Sequence, residues 1–279
     1  MTIYKENLIY DVGMHRGEDT EFYLRKGFDV IGFEANPSLV EQCKARFRDA
    51  IETGRLRIVE GAIAPDDAGD TVTFYVNVDS VWGTIHPSWA ERNASFGKES
   101  RAITVERVDI HKVFRDYGMP HFMKIDIEGA DNYVLKSLND YKFKPRHVSI
   151  ESEKVDFSAL EAEINTFVEL GYSKFRAVQQ ARIPGSTLST KSLNGEDFEY
   201  VFEKDASGGF GDDVVQEWKN ADEIIEEYRT IFDRYRAFGD RSLFREKPRG
   251  IRNFLKFVYR LKTGYRGPLP GWFDTHASY

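Results

Sequence analysis

Short apolar runs separated by polar, periodic stretches organise the first half of this chain. Leu8 to Val12 is an apolar run closed by Gly13, the pattern of a strand buried on both faces. Acids at Glu18, Asp19 and Glu21 open a helix that runs to about Arg25 and stops at Gly27. Val30 to Phe33 is a second buried run, and it finishes on Glu34. Asn36-Pro37-Ser38 starts a helix predicted to continue to Thr53, with a third strand over Leu56 to Glu60. Thr71 to Asn77 alternates apolar and polar positions, as a half-exposed strand does. Ile103 to Val108 is another strand, followed by a helix from Asp109 to Tyr117. Phe122 to Ile127 is again apolar and leads into Glu128-Gly129, a helix over Ala130 to Leu138, and a strand over His147 to Ile150 that ends at Glu151. This alternation predicts an α/β fold, a mostly parallel central sheet flanked by helices.

The pattern then changes. Phe157 to Leu170 is an amphipathic helix and Tyr172 to Val178 a strand, whereas Pro184 to Gly211 is rich in Gly, Ser and Thr and is expected to be a long loop or lid. The longest helix is expected over Asp212 to Phe238. Its Val214, Trp218, Ala221, Ile225, Tyr228, Phe232 and Tyr235 step alternately by four and three. Such a heptad-like stripe packs either on its own domain or against a second copy in a homodimer. Residues 247–266 hold seven basic residues interleaved with Phe254, Leu255, Phe257, Val258, Tyr259 and Leu261. A basic amphipathic helix of this kind packs on its domain or lies on an anionic membrane surface. The expected division is therefore residues 1–183 as a ligand-binding domain and 184–279 as a loop or lid with a helical extension.

Composition narrows the class. With 279 residues, 41% hydrophobic and 14% aromatic, the chain has ample material for a large core. A net charge of −7 argues against nucleic acid as the main partner. The single cysteine, Cys43, excludes an internal disulfide, is expected to be buried, and fits a reducing compartment such as the cytoplasm. Residues 1–7 carry no hydrophobic signal region, and no run approaches the ~20 apolar residues of a membrane span.

The chemistry gathers at strand ends. Asp11, Glu34, Asp126 and Glu151 all close strands, and open α/β sheets bind ligands outside those ends. The turn Gly13-Met14-His15-Arg16-Gly17 lacks the middle glycine of a pyrophosphate-binding fingerprint, and an acidic helical turn follows it. Both features suit S-adenosylmethionine, which carries a sulfonium and an ammonium and no phosphate; NAD is the alternative. Glu34 is placed to accept hydrogen bonds from ribose hydroxyls. Chemistry at these strand ends also calls for a base, and the candidates are Asp126, Glu128, Glu151 and His86, with His276 on a flexible end as a further one. Asp126, Glu128 and Glu151 would also suit magnesium, although no metal is assigned; no His- or Cys-rich pattern suggests zinc. Trp82, Trp89 and Arg92 are candidates for an acceptor surface.

Two stretches carry a resemblance. Asp11-Val12-Gly13 through Gly17, followed by Phe33-Glu34-Ala35-Asn36-Pro37, resembles the opening of the FkbM family of methyltransferases. Met123-Lys124-Ile125-Asp126-Ile127-Glu128-Gly129-Ala130-Asp131, continuing to Val134-Leu135, resembles that family's other signature, and the similarity runs from Leu8 to Gln179. It implies a Rossmann-like class I methyltransferase fold. The implied activity is S-adenosylmethionine-dependent methyl transfer to a hydroxyl of a sugar, a glycosylated natural product or a polysaccharide, releasing S-adenosylhomocysteine. The resemblance places Asp11, Gly13, His15 and Gly17 at the methionine part, Glu34 at the ribose with Ala35 also at the cofactor, Gly61 and Ala62 near the adenine, and Asp126 near the reactive end. The chain departs at His15, where the family commonly has asparagine, and at Met14, where a small residue is usual. Two other classes remain open, an NAD-dependent oxidoreductase and a non-catalytic adenosyl-binding interaction protein.

Overall fold

The apolar runs become strands, and what separates them becomes helix. In a computed structural model the chain forms β1 (Tyr4–Val12), α1 (Glu18–Lys26), β2 (Asp29–Glu34), α2 (Pro37–Arg46), α3 (Arg48–Glu52), β3 (Leu56–Glu60), β4 (Ala62–Ile63) and β5 (Thr71–Asn77). Next come α4 (Pro87–Ser95), β6 (Ser100–Val108), α5 (Ile110–Tyr117), β7 (Met119–Ile125), α6 (Asp131–Ser137), β8 (His147–Glu151), α7 (Phe157–Glu169) and β9 (Lys174–Gln179). The chain ends with β10 (Thr187–Lys191), β11 (Asp197–Val201), α8 (Ala221–Phe238), α9 (Arg249–Thr263) and β12 (Phe273–Ser278). The structure describes residues 2–279 apart from 96, 240, 241, 243, 245 and 246, and at 81 the backbone alone. Five residues of the expected 184–279 extension thus lie outside the described residues.

One seven-stranded sheet runs in the order β3-β2-β1-β7-β8-β12-β9, parallel except for β12, which is antiparallel to both neighbours. Consecutive side chains alternate between two cores. Ile9, Val30 and Phe122 face one, and Tyr10, Ile31 and Met123 face the other, so both faces of the sheet are covered. The connection order reverses between β1 and β7, which opens a crevice at their carboxyl ends. A second sheet, β4-β6-β5, stands beside the main one.

Four expectations are corrected. Pro184 to Gly211 is not an open loop but holds the β10–β11 hairpin, turning near Asn194-Gly195, where Gly195 takes φ +86°. Its aromatic residues explain its position: Phe22 on α1 packs against Tyr200 and Phe202, and Phe210 stacks on Phe122 at 4.3 Å. This segment is a wall of the second core. The long helix starts at Ala221, not Asp212, because Asn220 and Glu223 form a reciprocal capping box there. Val214 and Trp218 precede it, and Ile224, Tyr228, Ile231 and Phe232 are buried within the fold, so the stripe serves this chain's own core. The helix expected over Pro37 to Thr53 breaks at Phe47, whose ring lies under Gly17.

The end of the chain is the fourth correction. Every residue of β12 is buried, and the strand sits inside the main sheet, so part of the expected extension is sheet. His276 lies in that strand rather than on a flexible end; burial, with Arg176 and His147 nearby, pushes its imidazole down to about 3. Among the described residues no helix is long and apolar enough to cross a membrane.

Candidate functional site

The crevice is built on a turn that tolerates no side chain. Gly13 follows β1 with φ +89°, and a Cβ there would lie 1.9 Å from the Asp126 carbonyl oxygen. The Gly13 and Met14 amides both donate to the Phe33 carbonyl, which ties the turn to the end of β2. His15 continues it at φ +51°, donating its backbone N–H to Glu34 Oε2 at 3.0 Å. The Asn36 amide donates to Glu34 Oε1 at 2.8 Å. Burial nevertheless pushes the Glu34 carboxyl up to about 7 against those two bonds. The His15 ring bridges Glu18 Oε1 at 3.0 Å and Ser80 Oγ at 2.8 Å. Burial raises Glu18, but the bond and charge of His15, together with backbone N–H groups, outweigh it and hold this carboxyl below its ordinary value.

Behind the turn lies a buried cation. Lys124, on β7, places Nζ 3.5 Å from Asp19 and from Asp126, 3.7 Å from Asp11, and 3.3 Å from the Gly13 carbonyl it donates to. Burial disfavours the ammonium, yet the three carboxylates override it and hold Lys124 well above its ordinary value. Asp11 accepts from Thr20 Oγ1 at 2.6 Å, while its Oδ1 has no hydrogen-bond partner among the described residues, and burial pushes the carboxyl up to about 6. Asp19 accepts from the Ser207 and Gly208 amides, so the segment after the hairpin is pinned to the site.

A second strained turn faces the first. Glu128 sits at φ +50° and Gly129 at φ +111°. Asp131 holds that shape by accepting from the Ile127 amide at 3.0 Å and the Gly129 amide at 2.9 Å, and Thr84 Oγ1 donates to the Glu128 carbonyl at 2.7 Å. Burial, then the charges of Glu151 and Asp126, push the Glu128 carboxyl well above its ordinary range. Arg92 lies over the Trp89 ring at 4.4 Å, with its guanidinium 3.9 Å from Glu128 Oε2. His86 Nε2 lies 3.2 Å from the Gly129 carbonyl, which can only accept, so that nitrogen carries the proton. Glu151 is paired with Lys154 Nζ at 2.5 Å.

These parts enclose a cleft of about 830 Å³, counting the share open to solvent. Of the residues expected at a cofactor, Gly13, His15, Glu34, Ala35, Gly61, Ala62 and Asp126 line it; of the expected bases, Asp126 and Glu128 do. Asp11 and Gly17 stand behind the lining. Asp11 supports Lys124, and Gly17 passes against Phe47, where a Cβ would come within 2.2 Å of the ring. Glu151 and His86 are outside the lining and meet the site through Glu128 and Gly129. The lining also includes Glu18 and Asp19 of the expected acidic turn, and Lys124 and Asp205, to which the sequence reading gave no role. Lys124 did leave a signal, a lone charge inside an apolar strand beside another strand bearing Asp11. Among the described residues no three or more His, Cys, Asp or Glu converge as metal ligands.

Residues 11–174 match the sequence family described as the methyltransferase FkbM domain, more than half of the chain. The chain belongs to the FkbM methyltransferase family. It is an S-adenosylmethionine-dependent methyltransferase with a Rossmann-like α/β fold. The match ends at the start of β9, so the hairpin, α8, α9 and β12 of this FkbM protein lie beyond it. No curated protein matches its sequence. Similar solved structures include precorrin-6Y C5,15-methyltransferase from Geobacter metallireducens, 9% identical, covering 71% of this chain and 77% of that one with a TM-score of 0.36. Another is the C-terminal domain of precorrin-6Y C5,15-methyltransferase from Rhodobacter capsulatus, 14% identical, with the same coverage and a TM-score of 0.32. Likenesses at this level carry no argument about what the chain acts on.

Proposed function

We propose that the cleft seats S-adenosylmethionine and that the enzyme methylates a hydroxyl oxygen of a sugar, a glycosylated small molecule or a polysaccharide. When bound, S-adenosylmethionine supplies an electrophilic methyl group on a sulfonium. The residues present fit such a ligand. Gly13 lets its turn pass directly against the Asp126 carbonyl, where a Cβ would collide, and Glu18, Asp19, Glu34 and Asp126 line the cleft with Lys124 the cation among them. Each Glu34 oxygen accepts one backbone N–H and keeps a lone pair for a ribose hydroxyl. Ala62, Ile63, Phe74 and Ile85 offer an apolar wall for an adenine ring.

Glu128 carries the acceptor half of the proposal. It lines the cleft beside Asp126, is held in an unfavourable backbone conformation by Asp131, and has a carboxyl that burial and the charges of Glu151 and Asp126 raise well above its ordinary range. Such a group takes the hydroxyl proton at a carboxylate oxygen as the nucleophile forms. Glu151 lies outside the lining and acts by raising Glu128. Trp89, clasped by Arg92 beside Glu128, supports a sugar acceptor, since an indole face packs on a sugar ring. The buried Cys43 thiol fits the cytoplasm as the place of reaction.

The test is transfer of a labelled methyl group to a panel of sugars, glycosides and oligosaccharides, with the product located by nuclear magnetic resonance. An O-methyl product is expected, and Glu128→Gln should lower kcat by roughly 10²–10⁴ while leaving S-adenosylhomocysteine affinity nearly unchanged. A product methylated on nitrogen or carbon, or full turnover in Glu128→Gln, overturns the reading.

A further inference from the structure

Helix α9 turns its apolar face outward. It contains no buried residue, and Ile251, Phe254, Phe257, Val258 and Leu261 are 47%, 62%, 56%, 41% and 71% exposed. At 100° per residue these five fall within one arc of about 120°. Attachment of the remaining surface sets that orientation. The Tyr259 ring meets Phe238 at 5.4 Å, Lys256 Nζ donates to the Leu269 carbonyl at 2.7 Å, and Arg260 donates to the Gly267 carbonyl at 3.3 Å.

The charge around this helix opposes that of the protein. The chain holds 39 Lys and Arg against 46 Asp and Glu; residues 247–266 contain Lys247, Arg249, Arg252, Lys256, Arg260, Lys262 and Arg266 and no acid. Partial burial first, and then the charges of Arg252 and Arg260, push the Lys256 ammonium down. We propose that α9 docks on an anionic membrane surface, its five apolar side chains entering the headgroup boundary, Lys262 at the edge of that arc meeting lipid phosphates and the other Lys and Arg of the segment adding long-range attraction.

Two features favour a membrane over other occupants. Nucleic acid would satisfy the charges and leave Phe254 and Leu261 in water. A second copy meeting face to face would bring the seven basic residues no acid, since a two-fold contact pairs a patch with itself and residues 247–266 hold none. The helix also hangs near the working end of the sheet. Residues 267–269 hold it and lead into β12, whose Asp274 pairs with Glu151 at the carboxyl end of β8. Trp272, 47% exposed, lies between them. Docking there brings the cleft toward acceptors carried at the surface, a consequence that rests on the methyl-transfer reading above.

Co-sedimentation of the full chain with vesicles tests the docking without cofactor or turnover, so its failure leaves the methyltransferase reading untouched. Vesicles of phosphatidylcholine with about one-third phosphatidylglycerol should bind at least tenfold more protein than phosphatidylcholine alone, and high salt should release it. Phe254→Glu with Leu261→Glu should lose that binding at least tenfold, as should Arg252→Glu with Lys262→Glu, with circular dichroism unchanged. The proposal is overturned if the parent stays in the supernatant with anionic vesicles or if the Phe254→Glu, Leu261→Glu variant binds as the parent does. It is overturned equally if sedimentation equilibrium shows a dimer that this variant splits.

Discussion

Replacing Lys124 with methionine keeps the bulk of the stem and removes the ammonium that Asp11, Asp19 and Asp126 share at 3.5 to 3.7 Å. Asp11 and Asp19 are buried, so neither can turn to solvent once that charge is gone. Breaking a buried charge pair from one side costs about 3–5 kcal/mol. The Asp11 carboxyl gives a consistent magnitude: burial already raises it from 3.8 to about 6 with the ammonium present. Each further pH unit adds about 1.4 kcal/mol. A carboxyl whose folded pKa exceeds its unfolded value favours the folded state below the unfolded value and loses that advantage as pH rises through the folded one. Without Lys124 the folded values of Asp11 and Asp19 climb further. The variant's deficit is therefore small near pH 5 and grows from about pH 6 upward. In a chain of this size ~1 kcal/mol moves the midpoint by about 2 °C, so Lys124→Met should melt roughly 6–10 °C below the parent at about pH 8. Circular dichroism melts across that range provide the assay. A deficit equal at both ends would mean lost packing, and no deficit would mean the carboxylates do not depend on Lys124; either refutes the shared-charge account.

Gly13→Ala should weaken S-adenosylhomocysteine binding at least 100-fold by calorimetry, because its Cβ must displace the Asp126 carbonyl 1.9 Å away; parental affinity would show the turn to be remote from the ligand. Glu34 stands at about 7, so as pH falls through that value the carboxylate takes up a proton and cofactor affinity should fall. Glu34→Gln should bind about tenfold more weakly above pH 7 and show a flat profile, and a parental profile in the variant would remove Glu34 from the site.

The opening strand-turn-helix and the Asp126–Gly129 segment were legible because each is an apolar run closed by acid and glycine, and such runs fold locally. The hairpin announced itself through Asn194-Gly195 between alternating stretches, but its Ser and Thr content reads as loop. Strand β12 was harder to see. Asp274, Thr275, His276 and Ser278 look like a polar tail, yet the strand is buried because β8 and β9 take its two edges. Its Thr275 hydroxyl closes a triangle with Ser152 and Tyr228 at 2.5 to 2.8 Å. Pairing across more than 90 residues leaves no local trace. Lys124 escaped for a related reason: its partners Asp11 and Asp19 come from β1 and α1, and only the sheet brings them together.

Four strands ending in acid create a repulsion that the fold answers unevenly. Glu34 is met by two backbone amides, Glu151 by Lys154, and Asp11 by Thr20 and a share of Lys124. Among the described residues Asp126, 40% exposed, has only its share of that ammonium, and Glu128 has Arg92 no closer than 3.9 Å. The uncompensated negative charge is thus concentrated where the two turns face each other across the cleft. A pyrophosphate there would meet Glu18, Asp19 and Asp126 with Lys124 alone to offset them. A sulfonium and an ammonium supply the missing positive charge, and positive charge beside Glu128 favours its carboxylate form, the form that can take a proton from an acceptor hydroxyl. The same excess of acid that argues against a dinucleotide therefore favours a cationic methyl donor.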